Sequence, residues 1–138
     1  MYEYNGGLIL DEELYQKGMS NKQLADTILN QPEQCLVVAD SAEPKSIEEI
    51  KRAGITIKGA LKGTDSIKYG IDYLQGFNLK ITSRSTNMIK ELRAYTWDTD
   101  KTGKVINKPI DAFNHTIDAA RYSVSELSKP NPVIWKVY

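Results

Sequence analysis

Leu36-Val37-Val38-Ala39-Asp40-Ser41-Ala42-Glu43-Pro44, residues 36–44, is the stretch that decides the fold. A short apolar run that stops at a carboxylate reads as a strand buried on both faces, the pattern of the parallel part of an α/β sheet. In open α/β sheets, ligands gather beyond the carboxyl ends of the strands. Asp40 lies at such an end, with Glu43 three residues on. Two carboxylates there suit a hard cation such as Mg²⁺, which prefers oxygen ligands. The competing reading is an aspartate that caps the next turn or helix.

Working outward, Asn5-Gly6 between Tyr2-Glu3-Tyr4 and Leu8-Ile9-Leu10 predicts a hairpin with a shortened first strand, because both turn residues tolerate positive φ. Ser20 and Gln23 form a capping box ahead of Leu24, Ile28 and Leu29, a helix that should stop near Pro32. Ser46 and Glu49 predict a second capping box, with Gly54 as a stop. Ile55 to Ile57 and Leu79 to Thr82 read as short strands. Ile67, Ile71 and Leu74 mark a helix, and Ser85 is placed to cap another that carries Met88, Ile89 and Leu92. Trp97 to Ile106 predicts a hairpin around Asp100-Lys101-Thr102-Gly103. A last helix runs from Phe113 to Leu127, before Pro130, Pro132 and an extended piece from Val133 to Tyr138. Strands alternating with helices after an opening hairpin predict one α/β domain over residues 1–138, a mixed sheet flanked by helices.

The 138 residues are 41% hydrophobic and 26% charged, the composition of a globular protein. No apolar run approaches the roughly 20 residues of a membrane span, and Met1 to Leu10 has no signal-peptide pattern. The lone cysteine, Cys35, abuts an apolar strand and is expected to be buried and inert, in a reducing, cytoplasmic setting. Net charge is zero but unevenly spread: residues 1–44 hold 8 acids and 2 bases, residues 45–108 hold 7 and 13. Such asymmetry hints at a polyanion partner, against the alternative of uneven scatter.

Asn114-His115-Thr116-Ile117-Asp118 is the second cluster. Helical spacing places His115, the only histidine, and Asp118 on one face, with Asp111 one turn earlier. The pair suits metal ligation or proton transfer, or simply a surface ion pair. The bases of the middle section, Lys58, Lys62, Lys68, Lys80, Arg84, Lys90, Arg93, Lys101, Lys104 and Lys108, are spaced rather than clustered. Arg84 lies just beyond a strand, and Lys101 and Lys104 flank a hairpin tip, reasonable places for phosphate contacts. Tyr69, Tyr73, Tyr95 and Tyr122 read as packing at or near the core. A Gly-rich phosphate loop and zinc-like Cys/His spacing are both absent from the sequence.

Several stretches together resemble the C-terminal nuclease domain of tailed-phage terminase large subunits. They are Leu14-Tyr15 with Lys17 to Asn21, Ala39 to Lys45, Glu91 to Trp97 with Asp100-Lys101 and Gly103-Lys104, and Asn114 to Tyr122. The resemblance implies an RNase H-like fold and two-metal (Mg²⁺ or Mn²⁺) endonucleolytic cleavage of concatemeric double-stranded viral DNA. It places the second and third metal-ligating aspartates of the family on Asp40 and Asp118, with His115 as an auxiliary catalytic residue and Glu43 as a further metal candidate. Lys80, Arg84, Lys101 and Lys104, read from their positions in the basic middle section, are the candidate DNA contacts. The small terminase subunit and the portal are implied as partners, and the bacterial host cytoplasm as the location, with no membrane. The family's first aspartate precedes the opening hairpin. The resemblance therefore implies a domain truncated at its N-terminus, without the ATPase domain and with impaired cleavage; Glu3 and Asp11 are the carboxylates nearest the gap. The alternatives are a non-catalytic DNA-binding or packaging-protein-interaction remnant of a prophage terminase, and a small Mg²⁺-dependent phosphohydrolase.

Overall fold

The computed structural model describes residues 1–63 and 66–127, with the side chains of 107 and 125–127 outside the description. The segment from Val133 to Tyr138 and its preceding prolines lie outside the described residues. Strands β1 (Tyr2–Tyr4) and β2 (Gly7–Leu10) form the expected hairpin, in register Tyr2 to Ile9. Its turn puts Asn5 at φ 49° and Gly6 at φ 69°, the left-handed pair that a tight hairpin needs. Helix α1 spans Asn21–Leu29 behind the predicted Ser20–Gln23 box, both of whose bonds form.

Strand β3 (Val37–Ala39) pairs in parallel with β4 (Ile57–Gly59), joined by helix α2 (Pro44–Arg52). Helix α3 (Ser66–Gln75) leads to β5 (Leu79–Ile81), which pairs in parallel with β2. Order β1-β2-β5 makes a mixed sheet, as expected of this α/β class. Helix α4 (Thr86–Ala94), the hairpin β6 (Trp97–Thr99) and β7 (Val105–Pro109), and helix α5 (His115–Leu127) complete the chain.

Five local expectations are corrected. β3 is half-buried rather than buried on both faces, and Leu36 is exposed; its strand partner among the described residues is β4 alone, so one edge stays accessible. β4 begins at Ile57, two residues later than read, although Ile55 and Ile57 are both buried. The Ser46–Glu49 box does not form. Pro44 takes the first helical position of α2, where its fixed φ and missing N–H are favourable, and this places Ser46 inside the helix. Gly54 does end α2, at φ 96°. Phe113 precedes α5, exposed and at φ 54°. Cys35 is exposed, because the strand starts only two residues after it.

Two apolar clusters hold these elements. Leu8, Leu10, Leu74, Met88, Ala120 and Val124 join β2, α3, α4 and α5. Ala25, Ile50, Ile55 and Ile57 join α1 and α2 to the β3–β4 pair, with Val37 and Ala39 packed against them. Helix α5 also packs on β3, and its Tyr122 reaches Asp40 at the carboxyl end of that strand.

A reciprocal tie fixes the start of α4. The Ser85 hydroxyl accepts from the Glu12 amide at 2.8 Å, and the Glu12 carboxylate accepts from the Met88 amide at 2.8 Å and from Asn87 Nδ2 at 2.6 Å. Ser85 therefore occupies the predicted cap position while a carboxylate distant in sequence performs the capping. A negative cap at a helix N-terminus also meets the positive end of the helix dipole. Glu12→Ala is expected to cost about 1 to 2 kcal/mol in urea unfolding; a loss below about 0.3 kcal/mol would show the tie to be idle.

Candidate active site

Asp40 ends β3, and its Oδ1 accepts from the Ala42 amide at 2.8 Å, turning the chain toward α2. The turn-capping reading is thus realised, but it does not exhaust the carboxylate. Lys62 Nζ lies 2.5 Å from Oδ1, and the Tyr122 hydroxyl donates to Oδ2 at 3.2 Å. The Lys62 ammonium, then the Ala42 amide, hold the Asp40 carboxyl below the usual carboxylate range. The same ammonium sits 5.9 Å from the centre of the Tyr122 ring.

Asp118 lies one turn before Tyr122 on α5. Its Oδ1 accepts from Arg121 Nε at 3.1 Å and Nη2 at 2.5 Å. Arg121 is only 5% exposed, and its guanidinium packs 5.4 Å from the Tyr122 ring. α3 can approach this buried arginine because residue 70 is glycine. A Cβ there would stand 3.2 Å from the Arg121 Cβ, Cγ and Cδ. Tyr122 stands in the field of both aspartates: burial, then the charges of Asp118 and Asp40, push its phenol up. Asp40 thus meets a phenol of α5, the helix that carries Asp118, and each carboxylate has a cation beside it. Among the described residues, no group of three His, Cys, Asp or Glu side chains is placed to hold a metal ion together.

His115 opens α5 and is exposed, and the cavities it lines here are not the one that Asp118 lines. His115 lines one with Tyr15 and Lys17 and another with Glu91 and Phe113, whereas Asp118 faces Tyr95, Lys108 and Asp111. Three helical residues turn the chain by about 300°, leaving side chains about 60° apart. Asp111 precedes the helix and accepts from Asn114 Nδ2 at 3.3 Å, so it does not lie on the predicted helical face. Glu43 is exposed at the start of α2 and makes no side-chain capping bond. Arg84 is ion-paired with Asp11 and Glu13. Lys80 Nζ sits 5.7 Å from the centre of the Tyr4 ring. Lys101 and Lys104 are exposed on the β6–β7 turn, which Asp100 closes by accepting from the Thr102 and Lys104 amides.

A sequence profile described as the terminase RNase H-like domain matches residues 5–126. The chain belongs to this terminase family. The terminase large subunit of Bacillus phage SPP1 is 35% identical over 130 residues, covering 90% of this chain and 31% of that protein. The PBSX phage terminase large subunit of Bacillus subtilis (strain 168) is 32% identical over 116 residues, covering 83% and 27%. The chain therefore spans about a third of the length of these relatives or less. Among solved structures, the large-terminase nuclease domain of bacteriophage SPP1 with bound Mn superimposes with a TM-score of 0.70 at 38% identity, covering 78% of this chain and 63% of that one. The RNase H-like assignment of this terminase domain is thereby established. No helix among its described residues is long and apolar enough to cross a membrane.

Sequence reasoning missed the partners of Asp40 and Asp118. Lys62 is one of ten spaced bases with no local feature to single it out. Tyr122 reads as packing, yet its hydroxyl binds Asp40. Glu91 lies inside the stripe that predicts Met88 and Leu92 as core. Met88 and Glu91 are the pair actually buried, while Leu92 is exposed.

Proposed function

We propose that this terminase domain is a metal-dependent endonuclease acting on double-stranded DNA, with Asp40 and Asp118 as its metal-ligating carboxylates. The observation that carries the reading is the hydrogen bond from Tyr122 to Asp40, which ties the end of β3 to α5, the helix that carries Asp118 one turn earlier. It is supported by the bound Mn of the similar SPP1 nuclease domain. Hard carboxylate oxygens suit Mg²⁺ or Mn²⁺. Two aspartates fit the charge of one divalent cation, whereas the two-metal arrangement asks for a further carboxylate beyond this pair. A bound cation would activate water and offset charge on the phosphate.

The chain's own residues do the rest. Asp40 is oriented by the Ala42 amide and the Tyr122 hydroxyl, and Asp118 by the buried Arg121. Lys62, about half exposed, supplies positive charge that a DNA phosphate could meet, while the buried Arg121 balances Asp118. His115, one turn before Asp118, is the auxiliary group for proton transfer. By family, the substrate of the whole protein is concatemeric viral DNA, and its partners are the small terminase subunit and the portal.

Incubation of supercoiled plasmid with Mn²⁺ tests the reading: nicked and linear DNA should accumulate, and a chelator should stop it. A second reading, DNA binding without cleavage, draws on the 13 bases against 7 acids in residues 45–108. It predicts intact plasmid together with duplex binding that weakens steeply between about 50 and 200 mM salt.

Lys62 competes with any cation for Asp40. Lys62→Met is expected to tighten Mn²⁺ binding up to about fivefold in calorimetric titration, the most that a partly exposed ion pair contributes. Unchanged or weaker Mn²⁺ binding would count against Asp40 as a ligand.

A further inference from the structure

We propose that the cavity between α4 and the start of α5 is a stacking subsite for an unpaired nucleobase of the DNA strand, a proposal that rests on the nuclease reading and adds to it a single-stranded substrate element. The cavity measures about 440 Å³ and is lined by Tyr15, Asn87, Lys90, Glu91, Phe113 and His115 among others. That volume lies in the range of small-ligand pockets. Its lining combines two aromatic rings, two groups that can meet a phosphate and an amide.

Phe113 is the most unusual member. It is 63% exposed, and it holds φ at 54°, a conformation that bulky residues rarely adopt. A ring fully packed in the core would account for such a backbone; this one faces solvent at the cavity. Conformational outliers that the core does not use concentrate at binding sites. Across the cavity, the Tyr15 hydroxyl donates to Glu91 Oε1 at 3.1 Å, which fixes the ring. Glu91 is 4% exposed, and its other oxygen accepts from the Thr116 amide and hydroxyl, which turns the carboxylate into the fold. Lys90 and His115 are left to meet the backbone.

Rings beside cations are the common means of holding single strands, since every base has a π-face. A paired and stacked base cannot reach a ring, so the occupant is a base extruded or frayed from the duplex. His115 lies on this cavity and Asp118, three residues further along α5, on another, so one helix carries both the subsite and a proposed metal ligand.

Fluorescence anisotropy with a labelled oligothymidylate of about 12 nucleotides, beside a duplex probe, tests this. Phe113→Ala is expected to weaken oligothymidylate binding about tenfold and duplex binding less than about twofold. Phe113→Tyr should restore binding, and Tyr15→Phe, which keeps its ring, should bind oligothymidylate within about threefold of the parent chain. Thermal unfolding of each variant confirms that it is folded. An unchanged affinity in Phe113→Ala, or an equal loss on both probes, overturns the subsite. If the parent chain still cuts plasmid with Mn²⁺ in that case, the nuclease reading survives. A parent chain that neither binds nor cuts DNA overturns both.

Discussion

Asp40→Asn is expected to lower Mn²⁺-dependent plasmid cleavage by more than about a hundredfold, beyond the loss usual for residues that merely orient a metal ligand. Asparagine keeps the shape of the side chain and one carbonyl oxygen. Its oxygen can still accept from the Ala42 amide, and its NH₂ can donate to the Tyr122 oxygen in place of the bond that Asp40 accepts there. What it loses is the negative charge and one strong donor oxygen. An ion-pair partner of Lys62 is lost as well, but that pair is about half exposed and contributes little to stability. Asp40→Asn therefore separates chemistry from folding. Asp118→Asn should be equally inactive, yet it also leaves the buried Arg121 without its counter-charge and is expected to melt earlier. Glu43→Gln is the internal contrast: Glu43 is exposed and makes no capping bond, so activity should stay within about twofold of the parent if only Asp40 and Asp118 hold the cation. Cleavage that survives unchanged in both aspartate variants would trace the activity to a contaminating nuclease.

Legibility in this sequence follows the range of the interaction. The Asn5-Gly6 turn and the Ser20–Gln23 box involve neighbours a few residues apart, and both stand where the residues place them. The apolar stripe of α5 is also local, and Ile117, Ala120 and Val124 are all buried. Asp40 is legible because a strand end is a topological position. Its partners are not, since Tyr122 lies 82 residues away and reaches it only through the packing of α5 on β3. Competition between two local rules explains the failed Ser46–Glu49 box. A proline two residues before the serine starts the helix earlier than the box would. His115 and Asp118 expose the limit of face arguments: residues three apart share a face loosely, and different neighbours give each its own cavity.

Glu91→Ala is expected to destabilise the domain by about 3 kcal/mol, which for this size lowers the melting temperature by about 10 °C. Glu91 is 4% exposed, and its carboxylate joins three elements of the fold. Oε2 accepts from the Thr116 amide at 2.7 Å and from the Thr116 hydroxyl, satisfying the first turn of α5, while Oε1 accepts from Tyr15. Alanine leaves the buried Thr116 amide and hydroxyl without a partner, and an unmet donor costs more than the bond was worth. Burial alone would push the Glu91 carboxyl up. The Thr116 hydroxyl and amide, the Tyr15 hydroxyl and the nearby His115 outweigh it and hold the carboxyl below its ordinary value of 4.5. With the folded value below the unfolded one, this contribution is complete above about pH 4.5 and is lost as pH falls through the folded value. Glu91→Gln should flatten that acid limb and cost less than alanine. Its amide oxygen can serve Thr116 while its NH₂ donates to the Tyr15 oxygen. Amide exchange at Thr116 should quicken in Glu91→Ala, because the start of α5 is the part released. A variant that melts within about 2 °C of the parent, with Thr116 as protected as before, would mean that α5 is anchored by its apolar face alone.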